Sequence, residues 1–227
     1  MIPRPKNPLV VALDVSDPQR AEALASALAP HVGMLKVGLE LFWSAGPEML
    51  QRIGSHAPVF ADAKLHDIPN TVERASANIA RRGVRMLNVH ALGGEEMMRA
   101  ARSGADRGAI EAGVPAPLVL AVTVLSSQSG EGLASPASLA FEAKTSGLDG
   151  VVVSGEDVQD VRAVCGDDFC LVVPGIRPAG GNGHDQVRVL TPAAAIESGA
   201  DYIVVGRPIT GADDPVGVAR GILHEAR

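Results

Sequence analysis

The chain has 227 residues, with 20 basic and 26 acidic side chains and a net charge of −6. That balance gives no electrostatic support to a nucleic-acid or anionic-membrane partner, and 3% aromatics are too few for base-stacking platforms. At 46% hydrophobic and 20% charged, the composition is that of a folded globular protein, and no run approaches the roughly 20 apolar residues of a membrane span. The apolar stretch behind the arm at residues 1–8 stops at Asp14, too short for a secretory signal core. Cys165 and Cys170 make no disulfide framework, and no Cys/His cluster suggests zinc, so the expectation is a cytoplasmic enzyme or binding protein.

Eight short runs rich in Val, Ile and Leu follow in order: Leu9–Leu13, Met34–Val37, Val59–Ala63, Met86–Val89, Leu118–Val124, Val151–Val153, Leu171–Val173 and Tyr202–Val205. They are near-continuous rather than alternating, which is how parallel strands buried on both faces read. Helical patterns lie between them. Asp17-Pro18 opens one with Ala21, Leu24, Ala25 and Leu28 on a single face, and Thr71 opens another with Val72, Ala75 and Ile79. Ser135-Pro136, Thr191-Pro192 and Asp214-Pro215 repeat the same start signal, a capping side chain before a first-turn proline.

Eight strand–helix units of about 28 residues make a compact single-domain (β/α)8 barrel over residues 1–227. A doubly wound open sheet is the runner-up, although Leu13-Asp-Val-Ser16 stands where its Gly-rich turn would fall. Phe42 and Trp43 are expected to pack after strand two, and Met49, Met97 and Met98 to fill the core.

In such a barrel the active site lies at the strand ends. Asp14, Lys36, Asp62, Lys64, His90 and Arg207 all fall in that band, with Asp67 just beyond strand three. Asp62 and Lys64 are two apart, so in an extended strand they share a face. Four alternating charges at one mouth are costly to desolvate without a ligand to use them, and an ammonium beside carboxylates suits proton transfer or charge stabilisation. Of the four lysines, Lys36 and Lys64 fall at strands, whereas Lys6 and Lys144 read as surface residues. The Gly-rich segment Pro174–Gln186 follows strand seven and Val205-Gly-Arg-Pro208 follows strand eight, loops that frequently bind phosphate in these barrels.

The stretch Phe60-Ala-Asp-Ala-Lys-Leu-His-Asp-Ile-Pro-Asn-Thr71 resembles the signature of the orotidine 5′-phosphate decarboxylase family. Leu13-Asp14, Leu35-Lys-Val-Gly38, Val89-His-Ala91, Val122-Thr-Val-Leu-Ser126, Pro174-Gly-Ile-Arg-Pro178, Asp185-Gln186 and Val205-Gly-Arg-Pro-Ile-Thr210 extend the likeness along the chain. The resemblance implies a homodimeric barrel that converts orotidine 5′-monophosphate to UMP and CO2, the last step of de novo UMP synthesis, with no metal or organic cofactor. It implies that Asp14 and Lys36 hold the ribose hydroxyls and the charge network, that Asp62 sits against the substrate carboxylate and that Lys64 protonates the C6 carbanion. Asp67 and Thr71 would reach across the dimer to the neighbouring site. Ser126 would touch the pyrimidine, and Arg177, Gln186, Gly206 and Arg207 the phosphate.

Direct loss of CO2 leaves a ring carbanion with no cofactor to absorb its charge. The barrier reduction required lies near the top of the enzymatic range of about 8–23 kcal/mol, whereas one preorganised contact supplies about 3–4 kcal/mol. Lys64 alone is not enough, and binding energy from the distant phosphate must help to assemble the site. Two alternatives stand beside this reading. One is a Mg-dependent sugar-phosphate decarboxylase or lyase using Asp62 and Asp67 as ligands; the other is a non-catalytic phosphate-binding barrel.

Overall fold

The computed structural model describes residues 5–124, 134–177 and 190–226. Within them the apolar runs form eight strands: β1 (Leu9–Ala12), β2 (Met34–Val37), β3 (Val59–Leu65), β4 (Met86–His90), β5 (Leu118–Val122), β6 (Gly150–Val152), β7 (Cys170–Val173) and β8 (Tyr202–Val205). All pair in parallel in chain order, and β1 also pairs with β8, with Val10 opposite Val204. The sheet is therefore a closed barrel, and the open doubly wound sheet is excluded.

The helices are α1 (Pro18–Leu28), α2 (Leu39–Ala45), α3 (Met49–Gly54), α4 (Pro69–Ala80), α5 (Gly94–Ala112), α6 (Pro136–Thr145), α7 (Val158–Cys165), α8 (Pro192–Glu197), α9 (Arg207–Thr210) and α10 (Pro215–Glu225). Strand alternation divides the apolar side chains into two cores. Val10, Met34, Phe60, Met86, Leu120 and Val172 fill the barrel interior, whereas Val11, Leu35, Val59, Leu87 and Val119 face outward under the helices. No described helix is long and apolar enough to cross a membrane.

The start signals act as the sequence implies. The side chains of Asp17, Ser135, Thr191 and Asp214 accept from the N–H groups of Gln19, Ser138, Ala194 and Gly217, each with a proline in the first turn. The helix expected from Thr71 instead begins at Pro69, with Ile68 at its cap and no side-chain capping bond. Its buried residues are Val72, Ser76, Ala77 and Ala80 rather than Val72, Ala75 and Ile79. The rotation follows from close packing on α5: a Cβ at Gly104 or Gly108 would lie 2.0 Å from Glu73 O or 2.2 Å from Ala77 O.

Met49, Met97 and Met98 are buried as expected, and Phe42 packs partly against the core. Trp43 does not: it is 80% exposed, edge-on to Phe42. Lys144 is exposed, yet its ammonium is held by the carbonyl of Cys165 at the end of α7.

Polar residues also secure the N-terminal rim. Asn7, Asp149 and Asp201 accept from the backbone N–H groups of Leu9, Val119 and Leu171, and Arg102 and Arg162 pair with Asp149 and Asp201. Polar groups at that rim serve stability, which leaves the opposite end for chemistry.

Candidate active site

Inward alternation sets the site. The interior residues Ala12, Met34, Phe60 and Met86 are each followed two positions later by Asp14, Lys36, Asp62 and Asn88. These four polar residues come from successive strand ends and form the layer above the apolar interior.

Lys36 Nζ lies 3.0 Å from Asp14 Oδ1 and 3.0 Å from Asp62 Oδ2. Lys64 Nζ lies 2.6 Å from Asp62 Oδ1. The charges therefore alternate along one row, Asp14–Lys36–Asp62–Lys64. Side-chain exposure is 9% for Lys36 and 10% for Asp62, against 44% for Asp14 and 32% for Lys64. The inner pair forms the floor, while the outer two remain open to a ligand.

The meeting of Asp62 and Lys64 is the one expected from their spacing, but the backbone between them is not a regular strand. Ala61 pairs with Leu87 and Leu65 with Val89, so β3 advances four residues while β4 advances two. Within this bulge Lys64 has φ +46°, the left-handed value found at no other non-glycine among the described residues. Bulges re-aim side chains beside active sites, and a non-glycine residue held left-handed needs support from its surroundings.

That support is Asn88, a site residue the sequence reading passes over inside an apolar run. It is fully buried, donates from Nδ2 to Asp62 Oδ1 at 2.7 Å and accepts the Lys64 N–H at Oδ1 at 2.8 Å. The signal that would have found it is its place two residues after Met86, in register with the inward positions of β2 and β3.

Burial raises the cost of charge in this layer, but the partners outweigh it. For Asp62, burial acts upward, yet Lys36 and Lys64 bring the carboxyl down to about 2. For Lys36, burial acts downward, yet Asp62 and Asp14 raise it above the usual lysine value. Both groups remain charged at neutral pH. His90, at the end of β4, is pushed down chiefly by burial and further by His66 and Lys64, against an opposing pull from Asp62. It is thereby a neutral imidazole at neutral pH, its ring tilted 33° from that of His66 with centroids 5.4 Å apart.

Two glycines border the row. A Cβ at Gly38 would lie 2.8 Å from Asp14 Oδ1 and 2.9 Å from Lys36 Nζ, so any side chain there would displace the pair. A Cβ at Gly206 would lie 3.8 Å from Asp14 Oδ2, which brings the end of β8 to the same mouth. Arg207 follows as the first residue of α9, and Arg177 lies just past the bridge between Ile176 and Leu190. Ser126 and Gln186 lie outside the described residues.

Asp67 and Thr71 stand apart from the row. Asp67 is exposed and accepts the N–H of Ile68 at 2.7 Å, with no ion pair to any of the described residues, and Thr71 is exposed on the first turn of α4.

A closed barrel whose strand ends hold paired ammonium and carboxylate groups in one row, buried at its centre and open at its ends, is an enzyme scaffold built to handle charge and protons. Comparison with known proteins narrows that class. Residues 7–222 match the model of the orotidine 5′-phosphate decarboxylase / HUMPS family. The chain is 46% identical to orotidine 5′-phosphate decarboxylase of Moorella thermoacetica, covering 97% of this chain and 92% of the relative. It is 45% identical to that of Heliobacterium modesticaldum, covering 97% and 96%. Among solved structures, orotidine 5′-phosphate decarboxylase of Lactobacillus acidophilus is similar at TM-score 0.84 and 39% identity, over 98% of this chain and 100% of that one. An uncharacterized conserved protein from Geobacillus kaustophilus is similar at TM-score 0.83 and 36% identity, over 97% and 100%. The chain belongs to the orotidine 5′-phosphate decarboxylase / HUMPS family.

Proposed function

We propose that this protein is an orotidine 5′-phosphate decarboxylase, a carboxy-lyase that converts orotidine 5′-monophosphate to UMP and CO2. It would act in the cytoplasm as one domain over residues 1–227. The observation that carries this reading is the row Asp14–Lys36–Asp62–Lys64, buried at its Lys36–Asp62 centre and open at both ends, with Lys64 Nζ 2.6 Å from Asp62 Oδ1.

In this mechanism the substrate carboxylate enters beside Asp62. The C6–carboxylate bond breaks, CO2 leaves and the electron pair remains on C6. The Lys64 ammonium stabilises that charge and then gives C6 a proton, ending as a neutral amine that water reprotonates. No electron acceptor is needed. Lys36 and Asp14 hold the ribose hydroxyls, and Ser126 contacts the pyrimidine. Arg177, Gln186, Gly206 and Arg207 hold the phosphate, whose binding energy helps to assemble the reacting end.

Asp67 and Thr71 act in the site of a second subunit. Exposure of Asp67 supports this, as do exposed Leu39, Trp43, Ile68 and Leu92 on the segments after β2, β3 and β4. An apolar rim of that kind suits a protein partner.

The Mg-dependent alternative is disfavoured by the donor set, because both Asp62 oxygens already engage ammonium groups. The test is purified protein with orotidine 5′-monophosphate and a strong chelator, following UMP by chromatography. Stoichiometric UMP is expected; no UMP, or turnover restored only by Mg²⁺, would overturn the reading.

A further inference from the structure

We propose that Asn88 is a positioning residue of this site, its carboxamide fixing the Asp62 carboxylate with one end and the left-handed Lys64 backbone with the other. The inference rests on the decarboxylase reading and assigns to one neutral side chain the relative placement of the two charged groups on β3.

Hydrogen-bond complementarity fixes the direction of the amide. The Lys64 N–H can only donate, so it requires Oδ1 at 2.8 Å, and that leaves Nδ2 to face Asp62 Oδ1 at 2.7 Å. A flipped amide would place two donors together and an oxygen against a carboxylate. The contacts are thus mutually exclusive with any other orientation, and full burial shields them from bulk solvent.

The bulge explains why such a clamp is needed. Two extra residues in β3 remove the Lys64 N–H from the regular ladder with β4, and its backbone sits at φ +46°. Without an acceptor, that N–H would be orphaned and the lysine would relax toward ordinary strand geometry. On the other side, Asp62 Oδ1 already receives Lys64 Nζ at 2.6 Å, and a second donor stops the carboxylate from rotating about that contact. Asn88 closes a ring: Lys64 backbone, Asn88, Asp62 and the Lys64 ammonium. Neither β3 group can move without breaking it.

The test compares Asn88→Asp and Asn88→Ala. The aspartate variant keeps the acceptor for the Lys64 N–H but loses the donor to Asp62; the alanine variant loses both. At neutral pH, kcat of Asn88→Asp is expected to fall about 10²-fold, the cost of a small misplacement of reacting groups, while KM changes only a few-fold because the phosphate contacts are untouched. Lowering the pH should recover part of this loss, since the protonated carboxyl again donates to Asp62; Asn88→Ala should show no such recovery.

Amide hydrogen exchange of Lys64 in the ligand-free protein reads the same clamp without substrate. Protection should persist in Asn88→Asp and be lost in Asn88→Ala. A purely packing role predicts a lower melting temperature with kcat unchanged below it, and that result would overturn the proposal. Unchanged Lys64 exchange in Asn88→Ala would overturn it as well. Failure of the wild-type protein to form UMP would sink the decarboxylase reading instead, with the exchange measurement still deciding the clamp.

Discussion

Under the proposed mechanism Lys64 has a task that an arginine in its place could not perform. The chain has 16 arginines and four lysines, so generic positive charge falls almost entirely to arginine. A guanidinium stays protonated and cannot deliver a proton, whereas an ammonium can. This asymmetry was legible in the sequence, as were the positions of Asp14, Asp62 and Lys64 at strand ends. Asn88 was not, because a single neutral side chain inside Met86-Leu-Asn-Val-His90 carries no charge signal and declares itself only through inward register.

The pH dependence of stability belongs to this scale. Asp62 titrates at about 2 in the folded chain against 3.8 for an unperturbed carboxyl, so its contribution is fully present above that ordinary value. Acidification through the range down to about 2 should remove about 2 kcal/mol of unfolding free energy. Denaturant titrations of the wild type and Asp62→Asn at a series of acidic pH values measure it. The wild-type curve should be the steeper; parallel curves would show that the ion pairs of Asp62 do not stabilise the fold.

At the scale of elements, strand order and four helix starts followed from composition and capping chemistry, whereas the onset of α4 did not. Pro69 can begin a helix without a side-chain cap, and the buried stripe of α4 was set by an approach to α5 that only its glycines permit. Likewise the bulge in β3 has no marker in Asp62-Ala-Lys64, since it arises from pairing with β4.

Two helical glycines should respond oppositely to alanine. A Cβ at Gly108 would meet Ala77 O at 2.2 Å, whereas Gly221 in α10 has open space around it. Gly108→Ala should lose about 1–3 kcal/mol by overpacking. Gly221→Ala should gain about 0.5–1 kcal/mol from helix propensity. Chemical denaturation measures both, and equal signs would refute close α4–α5 packing as the cause.

At the scale of the whole molecule, closure of the barrel brings residues distant in sequence into one mouth. Asp14 after β1 and Gly206 after β8 are neighbours because β1 and β8 pair. That adjacency was implied once eight strand–helix units had been counted, while the placement of Asp67 away from its own charged row was implied by the family resemblance and not by residue spacing. If Asp67 serves a neighbouring subunit, mixing Lys64→Ala with Asp67→Ala chains should restore activity, because each heterodimer would contain one site with both residues intact. Confirmed heterodimers without recovery would place Asp67 in its own subunit's chemistry or outside it.

The proton donor lies at the centre of the whole scheme, and Lys64→Ala addresses it most directly. The variant should unfold cooperatively and bind UMP through the arginines beyond β7 and β8, yet convert orotidine 5′-monophosphate more than about 10³-fold more slowly than the wild type. Turnover close to wild type in a folded, UMP-binding Lys64→Ala protein would contradict the assignment of Lys64 as the group that protonates C6.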